Sequence, residues 1–190
     1  MACIELTHLQ ELITVLMKNN TSEISTRQIE EIASQTKRIR DPLCSALQQI
    51  IESNAATSSP LPYEIDGFGA EYYMDDANIP SLLSLPVLGY MSSTSDVYKA
   101  TRNMVLSPQN PYYFSGTEAN GIGGPHVGFN YSWPMAIVTR AMTSDDDREI
   151  LECLNMLIAS SAGTGLMHES FNVNNVNDYT RYVQSNFPFL

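Results

Sequence analysis

Stretches with helical periodicity alternate with glycine-rich, polar loops along this chain, and the alternation limits the folds that it can adopt. In the first stretch, Leu9, Ile13 and Leu16 recur near the helical spacing. The predicted helical stretches are residues 3–17, 22–52, 94–106, 133–142, about 145–161, and about 175 onwards. Paired helices with polar loops gathered on one side are typical of an α/α toroid or of a segment of one.

Individual residues predict several boundaries within this pattern. Pro42 is expected to kink or split the second helix, because proline removes a backbone donor and its ring clashes with the preceding turn. Residues 53–62 are predicted to form a loop. Asp66-Gly67 lies between two short β-like runs and indicates a hairpin. Pro80 suits the first turn of a short helix.

Three loops carry acids, histidines or aromatic side chains next to glycines. They are EIDGFGAEYYMDDAN (64–78), GIGGPHVGFNYSWP (121–134) and AGTGLMHESF (162–171). Glycine lets a backbone turn sharply and approach a ligand closely. The second loop belongs to a proline- and glycine-rich segment, 107–132, and loops of that length are uncommon unless they are functional. We therefore expect the three loops to form one active-site rim.

Glu169, which follows His168 in the third loop, is the strongest single candidate for catalysis. A carboxylate on a glycine-flanked loop next to an imidazole suits a general base that activates water. The alternative is a solvated loop glutamate whose neighbouring histidine caps the preceding helix. The residues alone leave both interpretations open.

The other two loops offer groups that suit hydroxyls and sugar rings. Asp75 and Asp76 are adjacent acids, which favour hydroxyl binding or proton chemistry, or else cap the segment after Pro80. His126 is either a ligand-binding residue or a loop histidine bonded to backbone. Trp133 is either an aromatic platform for a sugar or a buried side chain at a helix start. Acids, amides, imidazoles and aromatics together predict a neutral carbohydrate ligand.

The net charge of −11 argues against a nucleic-acid partner, which needs a basic face, and against docking on anionic membranes. No apolar run reaches the roughly 18–20 residues that span a bilayer, and the first residues lack the basic region of a signal peptide. Cys3, Cys44 and Cys153 are far apart, so we expect neither a zinc site nor a disulfide framework. The sequence motifs indicate no metal and no cofactor.

Four long motifs, in this order, resemble those of glycoside hydrolase family 125 in its fungal form. They are EIDGFGAEYYMDDANIPSLLSLPVLGY, NPYYFSGTEANGIGGPH, WPMAIVTRAMTSDDDREI and AGTGLMHESFNVNNVNDYTR, and the resemblance extends over about residues 1–181. It implies an (α/α)6 barrel, exo-acting α-1,6-mannosidase activity on mannose-containing oligosaccharides, inversion of configuration and no metal requirement. Glu169 matches the family's general base. The candidate substrate-binding residues are Asp66, Asp75, Asp76, Asn78, His126 and His168, which lie in motifs that line the family's sugar site, and Trp133.

Two departures from the family pattern concern the ends of the chain. The family's general acid lies in a segment resembling FRPSDD, upstream of the helix that residues 1–13 resemble, and residues 182–190 diverge from the aromatic-rich helix that follows in the family. We expect residues 1–190 to be the C-terminal portion of a single catalytic domain whose N-terminal portion is missing. The expected fold is all-α, part of a six-hairpin (α/α)6 barrel with one short β-hairpin, and its exposed apolar faces predict poor solubility.

Three functional hypotheses compete. The chain derives from an inverting exo-α-1,6-mannosidase; or, as it stands, it is an inactive remnant or a mannose-binding pseudoenzyme without the general acid; or it is a helical interaction module. The third hypothesis leaves the polar loops unexplained. Since any targeting signal of the family would lie upstream, the sequence assigns no compartment.

Overall fold

The computed structural model describes residues 1–19 and 25–180. The helices are α1 (Ala2–Asn19), α2 (Thr26–Thr57), α3 (Asp96–Val105), α4 (Pro134–Met142) and α5 (Asp147–Ser160). The strands are β1 (Glu64–Ile65), β2 (Glu71–Tyr72), β3 (Tyr113–Ser115), β4 (Asn120–Ile122), β5 (Tyr131–Ser132), β6 (Phe171–Asn172) and β7 (Asn175–Tyr179). In the part of the chain that the structure describes, none of these helices is long and apolar enough to cross a membrane.

The first two helices form an antiparallel hairpin that a disulfide joins. Ser25 begins α2 with a capping box, in which its hydroxyl accepts from the amide of Gln28 and the Gln28 side chain accepts in return. The sulfur atoms of Cys3 and Cys44 are bonded, and their Cα atoms lie 5.3 Å apart. The expectation that the cysteines form no disulfide was therefore wrong, because helix packing brings together residues that are 41 positions apart.

The second helix is longer than the sequence predicted. Pro42 does not split it, and the helix continues to Thr57, so the predicted loop at 53–62 begins only at Ser58. Ser58 ends the helix in the left-handed conformation, and its amide donates to the carbonyl of Ala55. Of the predicted second stretch, residues 22–24 lie outside the described part of the chain.

The β-structure is more extensive than the single hairpin that the sequence predicted. β1 and β2 confirm that hairpin, but β3 pairs with β4, and β5, β6 and β7 form a three-stranded antiparallel sheet. The fold is therefore helix-rich with three small sheets rather than all-α with one hairpin. Segment 107–132, expected as a loop, contributes three of these strands.

The helix predicted from Asn175 is a strand, β7, as far as Tyr179. Asparagine favours turns over helix interiors because its side chain hydrogen-bonds nearby backbone groups. Asn172 does so here, since its Oδ1 accepts from the amide of Asn174 at 2.9 Å and turns the chain from β6 into β7. Along the strand, Val176 and Tyr179 are half-buried and the other three residues are exposed.

The short helix expected after Pro80 is a series of turns over residues 82–89. By contrast, α3 and α4 confirm the predicted helices at 94–106 and 133–142, and α5 confirms the one that ends near 161. These helices carry two apolar clusters. One contains Ala77, Leu83, Met104, Val105, Ile122, Trp133 and Ala136, and the other contains Phe114, Ala119, Ile137, Cys153, Met156, Phe171 and Val173. Because both clusters include loop residues, the core fixes the polar loops to the helices.

Candidate functional site

The first two polar loops meet directly. The amide of Ala77 donates to the carbonyl of Gly123 at 2.9 Å. A Cβ on Gly123 would overlap the carbonyl oxygen of Tyr131, and a Cβ on Gly124 would lie 3.3 Å from Oδ2 of Asp76. Gly123 therefore allows a close approach to Tyr131 within the second loop that a larger residue would prevent, whereas a side chain at Gly124 would require the Asp76 carboxylate to shift slightly.

The second and third loops are joined through the three-stranded sheet. Ser132 on β5 pairs with Phe171 on β6, and the amide of Val173 donates to the carbonyl of Asn130 at 2.8 Å. The fold thus links loop 64–78 to loop 121–134, and loop 121–134 to loop 162–171.

Glu169 lies half-buried where the third loop enters β6. Within residues 1–19 and 25–180, no group hydrogen-bonds to its carboxylate or forms an ion pair with it. The two residues beside it are anchored. The His168 ring stacks on Tyr179 with the ring centroids 3.7 Å apart, and the fully buried Ser170 hydrogen-bonds through its hydroxyl to Thr180. A free carboxylate on a fixed backbone can accept a proton from water.

The aspartates at 75 and 76 differ in their surroundings. Asp75 is 0% exposed, and its two oxygens accept from the amides of Leu82 and Leu83, each at 2.9 Å. Burial raises the pKa of the Asp75 carboxyl to about 7. It caps the turns that follow Pro80, as the alternative interpretation proposed, and offers no exposed atom to a sugar in this arrangement.

Asp76 is half-buried and retains one oxygen without a hydrogen-bond partner among the described residues. Its Oδ1 accepts from both the backbone amide and the side-chain amide of Asn78, each at 2.7 Å, while Oδ2 faces Gly124. Asn78 itself is exposed. This pair of side chains therefore presents an acceptor and an amide to the junction of the first two loops.

Asp66 organises the β1–β2 hairpin. Its Oδ1 accepts from the amides of Ala70 and Phe68, both at 2.8 Å, and these bonds hold the pKa of the exposed carboxyl below its ordinary value. The hairpin tip also carries Phe68, which is 98% exposed. The sequence analysis missed this aromatic, although its position between Gly67 and Gly69 was a visible signal.

Trp133 and His126 contact each other at the start of α4. Their ring centroids lie 5.2 Å apart at 82°, with His126 exposed and Trp133 only 6% exposed in the first apolar cluster. The buried indole Nε1 has no hydrogen-bond partner among the described residues. The structure therefore places Trp133 as a buried residue at a helix start, which was the second of its two interpretations.

A second aromatic that the sequence analysis missed is Phe129, which is 85% exposed in the second loop. Its ring meets Phe114 edge-on at a centroid distance of 6.4 Å.

A small apolar cleft of about 60 Å³ lies beside this pair of rings, lined by Tyr112, Phe114, Gly124, Pro125, Gly128 and Phe129. A larger cleft of about 330 Å³ lies beside α5, lined by Gly116, Thr117, Glu118, Ala119, Asn120, Glu152, Asn155 and Met156. The candidate residues Glu169 and Asp76 line neither cleft.

A metal site would need several ligand side chains close together. In the described residues, no three histidine, cysteine, aspartate or glutamate side chains are grouped closely enough to hold a metal ion.

The largely buried charges at the start of α5 form an ion network. Glu149 accepts from Arg102 and Arg140, both at 2.7 Å, and from Ser144. Burial opposes the charge of Glu149, but these donors hold its pKa down at about 2.

The family model for metal-independent α-mannosidases, glycoside hydrolase family 125, matches residues 1–186. A similar solved structure is a metal-independent α-mannosidase of Streptococcus pneumoniae in a non-productive complex with α-1,6-mannobiose. It has a TM-score of 0.81 and 33% identity over 95% of this chain and 41% of its own. The helix-rich fold with small antiparallel sheets therefore resembles that of an α/α-barrel family.

A curated relative, the meiotically up-regulated gene 157 protein of Schizosaccharomyces pombe, is 52% identical over 120 residues. The match covers 63% of this chain and 24% of the relative. The chain thus spans about a quarter of the length of that relative and about two fifths of the solved structure.

Proposed function

We propose a function for this chain from one premise: it belongs to glycoside hydrolase family 125, the metal-independent α-mannosidases. The chain binds the non-reducing mannose of an α-1,6-linked oligosaccharide, and Glu169 removes a proton from the water that attacks the anomeric carbon. The glycosidic C–O bond breaks as the new bond forms, and the leaving oxygen takes up a proton from a general acid or from water. The reaction inverts the configuration at that carbon. The surrounding fold is a portion of a six-hairpin (α/α)6 barrel that forms the catalytic domain.

The carboxylate of Glu169 carries this proposal. It is half-buried, it has no hydrogen-bond or ion-pair partner among the described residues, and its neighbours are anchored. A general base needs a free oxygen to accept the proton of water and a fixed position relative to the substrate. Asp75 illustrates the contrast, since both of its oxygens are occupied by backbone amides.

Groups at the junction of the first two loops suit the hydroxyls and the apolar face of a mannose ring. Asp76 supplies an acceptor, Asn78 is exposed and hydrogen-bonded to it, and His126 is exposed in the second loop. Phe129 and Phe68 are exposed aromatics, whose faces suit stacking on a sugar. A neutral polyol also fits a chain with a net charge of −11, which repels anionic ligands.

The test is hydrolysis of α-1,6-mannobiose by the full chain, with Glu169→Gln and the matched control Glu152→Gln on the exposed surface of α5. We expect Glu169→Gln to lower the rate by about 10²–10⁴-fold, since that is the usual contribution of one proton-transfer group, and Glu152→Gln to leave it unchanged. The anomer released first, followed by NMR, reports inversion or retention. Equal rates for Glu169→Gln and wild type would refute the role of Glu169.

A second candidate function is mannose binding without hydrolysis. The observation that favours it concerns Asp75: its raised pKa suits a general acid, but the carboxyl is fully buried and both of its oxygens accept from backbone amides, so it is not placed to be the general acid. Inverting hydrolysis needs that acid as well as a base, at a separation of about 6.5–9.5 Å. Mannobiose that binds in a calorimetric titration but is not cleaved supports this candidate, and turnover abolished by Glu169→Gln excludes it.

A further inference from the structure

His168 and Ser170 flank Glu169 in the sequence. They are held by Tyr179, the last residue of β7, and by Thr180, which follows it. On one side, the rings of His168 and Tyr179 are stacked, with centroids 3.7 Å apart and planes 11° from parallel. On the other side, Ser170 and Thr180 share a bond between their hydroxyls, and the amide of Thr180 donates to the carbonyl of Ser170 at 2.9 Å. The residue before Glu169 and the residue after it are thus both anchored to one strand end.

The segment before Glu169 offers less restraint. Ala162, Gly163 and Gly165 adopt positive φ values of 49°, 75° and 72°. Leu166 and Met167 follow with their side chains 69% and 65% exposed. A loop of this kind has few apolar contacts to hold it, so its position depends on where it is attached.

The hydrogen bonds of His168 attach it to the C-terminal end of α5 and to its own loop. Its Nε2 lies 3.3 Å from the carbonyl oxygen of Ser161, the C-cap of α5, and 3.2 Å from Oγ1 of Thr164 in the loop. The Tyr179 ring adds a second attachment, on the sheet, because β7 pairs with β6, and Phe171 on β6 is fully buried in the second apolar cluster.

We infer that Tyr179 and Thr180 form a clamp that positions the Glu169 carboxylate. Because no side chain among the described residues holds that carboxylate directly, its place is set by the backbone on either side, and displacements near 1 Å in catalytic groups reduce rates substantially. Both are positioning residues that act through His168 and Ser170. The inference rests on the proposed role of Glu169 and extends it to two residues outside the loop.

The experiment follows the carboxyl carbon of Glu169 by NMR in the ¹³C-glutamate-labelled full chain, with the resonance assigned by Glu169→Gln. Thr180→Val removes the hydroxyl at nearly constant shape, and Thr180→Ser restores it. Tyr179→Leu removes the stacked ring, and Tyr179→Phe keeps it. Thr14→Val, an exposed threonine on α1, is the control. We expect Thr180→Val and Tyr179→Leu to change the chemical shift of the Glu169 carboxyl carbon, while Thr180→Ser and the control match wild type and Tyr179→Phe lies closer to wild type than Tyr179→Leu.

A Glu169 resonance that has the same chemical shift in Thr180→Val, Tyr179→Leu and wild type would overturn the clamp. Thermal unfolding is recorded for each variant, and if one of the two disruptive variants does not fold, the other decides whether its own anchor positions Glu169. Mannobiose is added last. If it leaves the Glu169 resonance of wild type unmoved, the proposed function fails, whereas the spectra recorded without sugar still decide the clamp.

Discussion

The α1–α2 hairpin and the region from α3 to β7 are stabilised in different ways. On α1, only Cys3 and Ile13 are buried, while Leu12 and Val15 are 62% and 53% exposed. The region from α3 to β7 instead contains two apolar clusters and a buried ion network. The hairpin therefore depends on a covalent bond and local capping, whereas the rest depends on long-range packing.

This difference matters for function because every candidate site residue lies outside the hairpin. Loop 64–78 reaches the second loop, and loops 121–134 and 162–171 lie directly on the sheet and on α4 and α5. We expect damage to the hairpin to leave the site formed, and damage to the ion network to disturb it. Four measurements test this comparison, from the largest expected effect to the smallest.

Removal of the disulfide should have the largest effect, and it should be confined to the hairpin. Closing a span of 41 residues contributes about 4 kcal/mol in the chain-entropy model. Reduction, or Cys3→Ser, should speed the amide hydrogen exchange of α1 and leave α4 and α5 protected. Mass spectrometry measures the exchange of each helix. Cys3→Ser with Cys44→Ser should be no worse than either variant alone. Unchanged exchange in α1 after reduction would show that noncovalent contacts suffice.

Loss of the Glu149 carboxylate should be next in size and should act on the other region. Glu149→Ala leaves Arg102 and Arg140 without their partner and should lower the free energy of unfolding by about 3 kcal/mol in urea titrations. Glu152→Ala, on the surface of the same helix, should have little effect. Equal urea midpoints for Glu149→Ala and Glu152→Ala would contradict the stabilising role of the ion network.

The pH dependence of the same variant follows from the lowered pKa of Glu149. Because the folded-state pKa is about 2 and the ordinary value is 4.5, the contribution of Glu149 is complete above pH 4.5 and is lost as the pH falls toward 2. The difference in unfolding free energy between wild type and Glu149→Ala should therefore shrink across that interval. A difference that stays constant from pH 5 to pH 2 would argue that the charge is unimportant.

The smallest effect is expected at the N-cap of α2. Ser25→Ala removes the acceptor for the amide of Gln28 and should cost about 1 kcal/mol. Ser25→Asp should retain most of the stability because aspartate is an equally good cap. Circular dichroism during urea unfolding measures both. If Ser25→Ala is neutral, the hairpin depends on the disulfide even more than we propose.

The sequence predicted those parts of the fold that have a long local pattern. The helices α1, α3 and α4 carry apolar residues at helical spacing over two turns or more, and their existence is confirmed. Strands of two or three residues, such as β5 and β6, are too short to have a period. Only their pairing across the fold defines them, so segment 107–132 was predicted as a loop.

The site shows the same division between local and long-range information. The adjacency of Asp75 and Asp76 is visible in the sequence, but the burial of one and the partial exposure of the other depend on the turns that follow Pro80. Glu169 was identifiable from its glycine-flanked loop. The strand end that holds its neighbours was predicted as a helix, and so the clamp was not visible.

The Cys3–Cys44 bond also changes the topology of the polypeptide. The backbone between these residues and the bond itself form a closed covalent ring. A protease that cuts one peptide bond inside the ring leaves a single molecule, which separates into two pieces only after reduction. Within the ring, α1 stays tethered beside α2 at a high effective concentration, so that a detached helix can return to its place without a search through solution.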